Sequence, residues 1–351
     1  MSLHYYKPRS LPHRMAKLAI RWQKIAASDE IRRSSQTIAV QDDGTLTIFG
    51  GEIVPRQPVD NKIYSLSLTQ PNATISTQDA PSLAPPPRVG SASTTLNGKT
   101  YLFSGRGGVD MAPVSENGNL WSYDHTRQSW SSIAPADPSS AYPEARSYHS
   151  MTTDGRDAIY LHAGCPEKGR LNDLWAFQIS TKKWIRLAPA PGEGMGGTSI
   201  TFCPSGDCLY RMNGFDGTSE CGGVIDIYHP EMDSWSTKSF NADGVSGPEA
   251  RSVSALLCVQ VAGKCYIVTA FGEHDPSSLG HAGAGKMLQN VWAWDTKEEI
   301  WYEVAQEGGS PAPRGWFAAQ NYGDDSIVVH GGLAEDNSRL GDVWVGKLNA
   351  E

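Results

Sequence analysis

No apolar run in the 351-residue chain approaches the roughly 18 residues that a membrane-crossing helix needs. The sequence therefore predicts a protein without membrane contacts. Basic residues are in deficit, 30 Lys and Arg against 38 Asp and Glu, for a net charge of −8. A duplex nucleic-acid binder needs a positive face, so nucleic acid is not an expected partner. Charged residues make up only 19% of the chain, too few for a solvated, disordered polymer. The six cysteines (Cys165, Cys203, Cys208, Cys221, Cys258 and Cys265) contain no CxxC pair and no zinc spacing, and they are too few to staple a chain this long. Reduced, mostly buried thiols in a cytoplasmic protein are expected. No Ser/His/Asp nucleophile set can be assembled from the sequence.

Glycine and large aromatic rings are plentiful. There are 36 Gly, 22 Pro, 11 Trp and 13 Tyr, and 39% of residues are hydrophobic, enough to build a substantial core. The segment Met1–Lys24 carries Lys7, Arg9, Arg14, Lys17, Arg21 and Lys24 without an acid, but it lacks the apolar stretch of a secretory signal. Residues 1–18 are read as a tail. Arg21-Trp22-Gln23-Lys24-Ile25 is read as a strand with a structural role.

The chain repeats itself. Its clearest unit runs through Arg88-Val89-Gly90-Ser91, Tyr101-Leu102-Phe103-Ser104-Gly105, Leu120-Trp121-Ser122-Tyr123-Asp124 and Ser129-Trp130. The next runs through Arg146-Ser147-Tyr148-His149, Ile159 to Gly164, Asp173 to Phe177 and Lys183-Trp184. Units beginning at Arg33, Gly196, Arg251 and Arg314 bring the total to six, the last lacking its Trp-bearing fourth strand. Four short strands per unit of about 50 residues form a sheet too small to bury both faces alone, and packing such sheets in a ring solves that problem. The expected fold is all-β, a six-bladed β-propeller spanning 19–349 and closed by the N-terminal strand around Trp22. The glycines serve turns where a Cβ would clash.

Two constellations stand out from the scaffold. Arg33, Arg88, Arg146, Arg251 and Arg314 begin five of the six units, and converging on one mouth they would form an anion site suited to carboxylate or sulfate. The other reading has each Arg bonding loop carbonyls and acids to hold the units in register. The second constellation is Gly272-Glu273-His274-Asp275-Pro276-Ser277-Ser278-Leu279-Gly280-His281. Glu273, Asp275 and His281 would offer mostly oxygen ligation with one imidazole, which suits Fe(II) or Mn(II) better than structural zinc. The plainer reading is a polar surface loop with Asp275-Pro276 as turn chemistry. Gly280 to Lys286 fits most of a phosphate-loop pattern, but Met287 replaces Ser/Thr and no βαβ unit surrounds it. Ser104-Gly105-Arg106-Gly107-Gly108 is read as a turn, and His162 and His330 as scaffold.

The glycine and aromatic signatures resemble kelch repeats. Glu144 to Met151, Gly272 to His281 and Pro313-Arg314-Gly315-Trp316 further resemble the plant specifier proteins, the nitrile-specifier, epithiospecifier and thiocyanate-forming group. That resemblance implies a six-bladed kelch propeller using Fe(II) to direct rearrangement of a sulfated, unstable small molecule. The family's Glu-x3-Asp-x3-His iron motif places Glu273 and His281 at its outer positions here, with Ser277 in the middle and Asp275 as the substitute. Arg88 and Arg146 match sulfate-binding arginines, and Trp316 would wall the pocket. The expected function is a metal-dependent lyase or isomerase acting on an anionic small molecule, with Arg33, Arg251, Arg314 and His149 also contacting it. Two other readings are a non-catalytic kelch module binding an acidic protein partner and a metal-free sugar mutarotase.

Overall fold

Runs of about five residues between glycine-bearing turns are too short for helices that bury a face, and they pair as strands. The computed structural model describes residues 18–280 and 283–350, so the tail expected for 1–18 lies, apart from Leu18, outside the described residues. The only helical turns described are short 3-10 turns at Asp29–Ile31 and Pro230–Met232. No helix among the described residues is long and apolar enough to cross a membrane.

The strands assemble into a succession of small antiparallel sheets, each joined in chain order. The first contains Thr37–Val40, Thr45–Phe49, Ile63–Ser67 and Ser76–Gln78. The second contains Ala92–Leu96, Lys99–Phe103, Leu120–Asp124 and Ser129–Ile133. The third contains Ser150–Thr153, Ala158–Gly164, Leu171–Gln178 and Lys183–Leu187. The fourth contains Ser199–Cys203, Cys208–Met212, Val224–His229 and Ser234–Ser239. The fifth contains Ala255–Val261, Lys264–Ala270, Val291–Asp295 and Ile300–Glu303. A sixth contains Ala318–Tyr322, Ser326–His330 and Asp342–Ala350, and the N-terminal strand Leu18–Ala27 pairs with the last of these in the register Trp22 to Gly346. Ala305–Gly308 adds a parallel strand outside it.

Each first strand contacts the first strand of the next sheet, and that of the sixth contacts that of the first. A series of backbone bonds repeats the relation. The amide of the glycine ending the second-strand segment reaches the carbonyl at the start of the next unit: Gly51 to Arg88, Gly105 to Arg146, Gly164 to Met195, Gly214 to Arg251, Gly272 to Arg314 and Gly332 back to Arg33, all at 2.8–2.9 Å. These positions need glycine. Gly272 has φ +105°, and a Cβ there would lie 2.7 Å from the Ser252 carbonyl oxygen.

Between sheets, the tryptophan of the outer strand in the second to fifth sheets packs against the sheet before it. Trp130 meets Phe49 at 5.1 Å, Trp184 meets Phe103 at 5.7 Å, Trp235 meets His162 at 6.1 Å and Trp301 meets Phe240 at 5.2 Å. Trp22 takes the same place in the sixth sheet, 5.9 Å from Phe271. Tilted and edge-on rings fill the widening gap between twisted sheets.

Candidate functional site

The first strands begin three or four residues later than the repeat pattern suggested, so the arginines precede them. Arg33, Arg88, Arg146, Arg251 and Arg314 are at most 1% exposed. Arg88 pairs with Glu116 at 2.8 Å, Arg146 with both oxygens of Asp173 at 2.6 and 2.9 Å, and Arg314 with both of Asp342 at 2.7 and 3.0 Å. Arg251 pairs with Glu249 at 3.0 Å, and Arg33 lies 3.9 Å from Asp60. Each also donates to a carbonyl at the end of its second strand, those of Gly50, Ser104, Ala163, Phe271 and Gly331. The expectation that these five side chains contact a ligand is therefore corrected: they are buried and paired inside the sheets, the Arg33 Nε alone of their donors being buried without a partner. His149 is also withdrawn from the mouth. It is buried edge-on to Phe103 and forms part of the wall of the axial cavity, and burial pushes its pKa down to about 3.

Two residues after each unit's start, which in the fourth unit is Met195 and not the expected Gly196, the backbone turns left-handed, at Ser35, Gly90, Tyr148, Gly197, Val253 and Trp316, with φ between +44° and +63°. Amide-to-carbonyl bonds link them in sequence: Gly90 to Ser35, Tyr148 to Gly90, Gly197 to Tyr148, Val253 to Gly197, and Ser35 to Trp316. Side chains held by this circle stand at one end of an axial cavity of about 490 Å³ lined by all six first strands. Tyr148 and Trp316 also wall two smaller cavities of about 150 and 120 Å³ above it. Trp316 lines all three cavities.

A second circle lies just outside the first. The residue that follows each second-strand glycine bridges to the residue after the unit's start: Glu52 to Ser34, Arg106 to Val89, Cys165 to Ser147, Phe215 to Gly196, Glu273 to Ser252 and Leu333 to Gly315. All six of these residues line the two smaller cavities. The sequence reading found only Glu273 among them, having assigned Arg106 to a turn. The signal was present, because a chain leaving a strand through a left-handed glycine must aim its next side chain at the mouth.

Glu273 is 5% exposed, and burial pushes its carboxyl up to about 7, against the opposing 2.7 Å bond from the Gly285 amide. Glu220 lies near enough to add to that shift, and burial raises its own carboxyl as well. Arg170 comes from the loop after the third sheet's second strand and lies over the Phe215 ring at 4.9 Å, its Nε buried without a partner. It shares one cavity with Glu273, Phe215, Tyr148 and Trp316. Across the mouth, Arg339 lies 3.4 Å from Glu52 and is engaged, while Arg106 donates to Ser147 and to the Met111 and Pro166 carbonyls. Among the described residues that line this cavity, Arg170 is the cation with capacity to spare.

The metal reading assembles only in part. Asp275 adopts φ +58° on the exposed rim, where it pairs with Lys286 at 3.2 Å and lies 3.5 Å from His274. It does not line the Glu273 cavity, so the expectation that it ligates beside Glu273 is corrected. Ser277 does line that cavity but brings a hydroxyl in place of a carboxylate. His281 lies outside the described residues. Among the described residues of the expected set, Glu273 and Ser277 share this cavity and Asp275 does not.

Comparison with known proteins matches this architecture. The KLHDC2/KLHL20/DRC7 Kelch-repeats domain profile matches residues 15–193, just over half of the chain. The N-(sulfonatooxy)prop-2-enimidothioate sulfolyase of Thlaspi arvense is 29% identical over 348 residues, covering 91% of this chain and 93% of that protein. Kelch domain-containing protein 3 of Bos taurus is 22% identical over 268 residues, 74% of this chain and 68% of that protein. Among solved structures, that of YjhT superposes with a TM-score of 0.69 at 15% identity, covering 91% of this chain and 95% of the other.

Proposed function

The chain belongs to the kelch-repeat family, and on that scaffold we propose a small-molecule lyase whose site is the mouth cavity shared by Arg170, Glu273 and Trp316. The six sheets are taken as six blades of one propeller covering 19–349, with Leu18–Ala27 as the closing strand. The unbroken series of glycine-to-unit bonds supports that reading.

The observation that carries the function is the pairing, in one cavity, of a guanidinium with an unpartnered buried Nε and a carboxyl poised near 7. A planar cation with free donors recognises an oxyanion. A carboxyl with a pKa near neutrality exchanges protons at working pH. The relative from Thlaspi arvense is by name a sulfolyase of an N-(sulfonatooxy) imidothioate, and an anionic substrate of that class suits this cavity. In the proposed reaction the bond to the oxyanionic group breaks heterolytically. The electron pair departs with the oxyanion onto Arg170, and the Glu273 carboxylate accepts the proton the organic remainder loses. Trp316 and Tyr148 exclude water from the reacting centre. No step runs through Fe(II), because the described residues do not supply its ligands.

A sugar acid handled by the same Arg170 and Glu273, in the manner of a mutarotase, is the second reading, favoured by the guanidinium and the raised carboxyl standing in one cavity. The acidic-peptide reading loses its basis with the internal pairing of the five arginines.

The test is sulfate release from a sulfonatooxy imidothioate by the full chain, with and without chelator. Release insensitive to chelator, with kcat lowered about 100-fold or more in Glu273→Gln, is expected. No release, or equal release by Glu273→Gln, overturns the lyase reading, and turnover of a sugar acid in its place establishes the second.

A further inference from the structure

The sequence offers no metal spacing among its cysteines, yet the fold brings three of them together. Cys203 ends the first strand of the fourth sheet, Cys258 lies in the first strand of the fifth, and Cys265 lies in the second strand of the fifth. Their sulfurs all lie within 4.8 Å of one another. The strand Ser199–Cys203 leads away from Gly197 at the mouth, so the cluster sits toward the opposite end of the molecule. It lines none of the three cavities described above.

We propose that Cys203, Cys258 and Cys265 bind one thiophilic d10 cation, Zn(II) or Cu(I), at the seam between the fourth and fifth sheets. Three thiolates about a metal at roughly 2.3 Å stand about 4 Å apart, so the sulfurs need to close in by less than about 1 Å. Both strands are fixed for that purpose. The Cys258 amide donates to Thr201 Oγ1 at 3.2 Å, tying the fifth sheet to the fourth beside the cluster. Cys203 Sγ lies 3.3 Å from Ser205 Oγ, which offers an oxygen at a fourth position. Cys203 and Cys265 belong to one hydrophobic cluster with Ile225, Ile267 and Trp294, and Cys258 and Phe240 pack against it. The soft donors select a d10 ion over Fe(II), Mn(II) or Mg(II). Binding converts three thiols to thiolates and releases their protons to solvent.

The experiment uses the full chain, reduced and freed of metal under anaerobic conditions. It is titrated separately with Zn(II) and with Cu(I) against a chromophoric competitor, and thermal unfolding is followed in parallel. One ion per chain and a raised Tm with at least one of the two metals is the expected result. Cys258→Ser, at the half-buried member, and Cys203→Ser should each lower the affinity at least 100-fold, while Cys221→Ser leaves it unchanged. Far-UV circular dichroism separates loss of binding from loss of fold, and a folded Cys258→Ser that keeps wild-type affinity overturns the proposal. So does wild-type protein that takes up neither metal stoichiometrically. Because the cluster lies away from Glu273 and Arg170, failure here leaves the mouth reading untouched, and failure of that reading leaves the thiolate site untouched.

Discussion

Glu273 and Asp275 stand two residues apart and have opposite fates, which is the clearest lesson at the level of single side chains. Glu273 follows a left-handed glycine and is directed inward; Asp275 is itself left-handed and turns onto the rim beside Lys286. Spacing in the sequence could not separate them, since both are acids in one loop. The inward carboxyl has a folded-state pKa near 7 against 4.5 in the unfolded chain. As a proton acceptor it is active when ionised, so kcat/KM should rise with pH through about 7, and Glu273→Gln should lose that limb. The stability effect has the opposite sense. The protonated form favours folding, an advantage present below about 4.5 and lost as pH rises to about 7. The Tm of Glu273→Gln relative to wild type should therefore increase between those values. A constant difference would show that the carboxyl is not buried in solution.

Within the repeated unit, the arginine and its acid act as a fastener. Arg88 and Glu116, Arg146 and Asp173, and Arg314 and Asp342 are separated by 28, 27 and 28 residues. That regular spacing was legible in the sequence, and it favours the register-holding reading over the ligand-binding one. What was not legible is burial, since the same arginines placed three residues further on would have faced the axis. Burial alone would raise the Asp173 carboxyl, but the Arg146 guanidinium and the Trp175 indole hold it below the ordinary range. Asp173→Ala leaves a buried guanidinium unpaired, and a loss of about 3–5 kcal/mol in unfolding free energy is expected. Denaturant titration measures it. KM for the mouth ligand should stay within about twofold of wild type; a large rise in KM in the still-folded variant would return Arg146 to the site. In the fourth sheet, whose unit has Met195 where the others have arginine, Arg211 and Asp226 form a buried pair at 2.6 Å instead.

For the molecule as a whole, the repeat and the strand around Trp22 were readable because aromatic spacing survives where loop lengths vary. The mouth was less readable, because its residues come from six units and share only a position after glycine. The first and last described strands lie side by side, so the sixth sheet should respond strongly to truncation of its core. Trp22→Ala should destabilise by about 3–5 kcal/mol and lower Tm without loss of the other sheets' registers. A change within about 0.5 kcal/mol would contradict the structural role of that strand. Acid should also weaken the fold globally. His149, His162 and His330 are buried with pKa values pushed down to about 3, mainly by burial, so their contribution is present above about 6.5 and lost as pH falls toward 3.

The central claim is that the cavity bearing Arg170, rather than the buried arginine belt, receives the anion. Titration calorimetry of a non-reacting sulfonatooxy imidothioate analogue with wild type, Arg170→Ala and Arg170→Lys tests it most directly. The account predicts affinity lowered about 10- to 100-fold in Arg170→Ala, as for loss of a charged hydrogen bond, with partial recovery in Arg170→Lys. Unchanged affinity in a folded Arg170→Ala variant would contradict it.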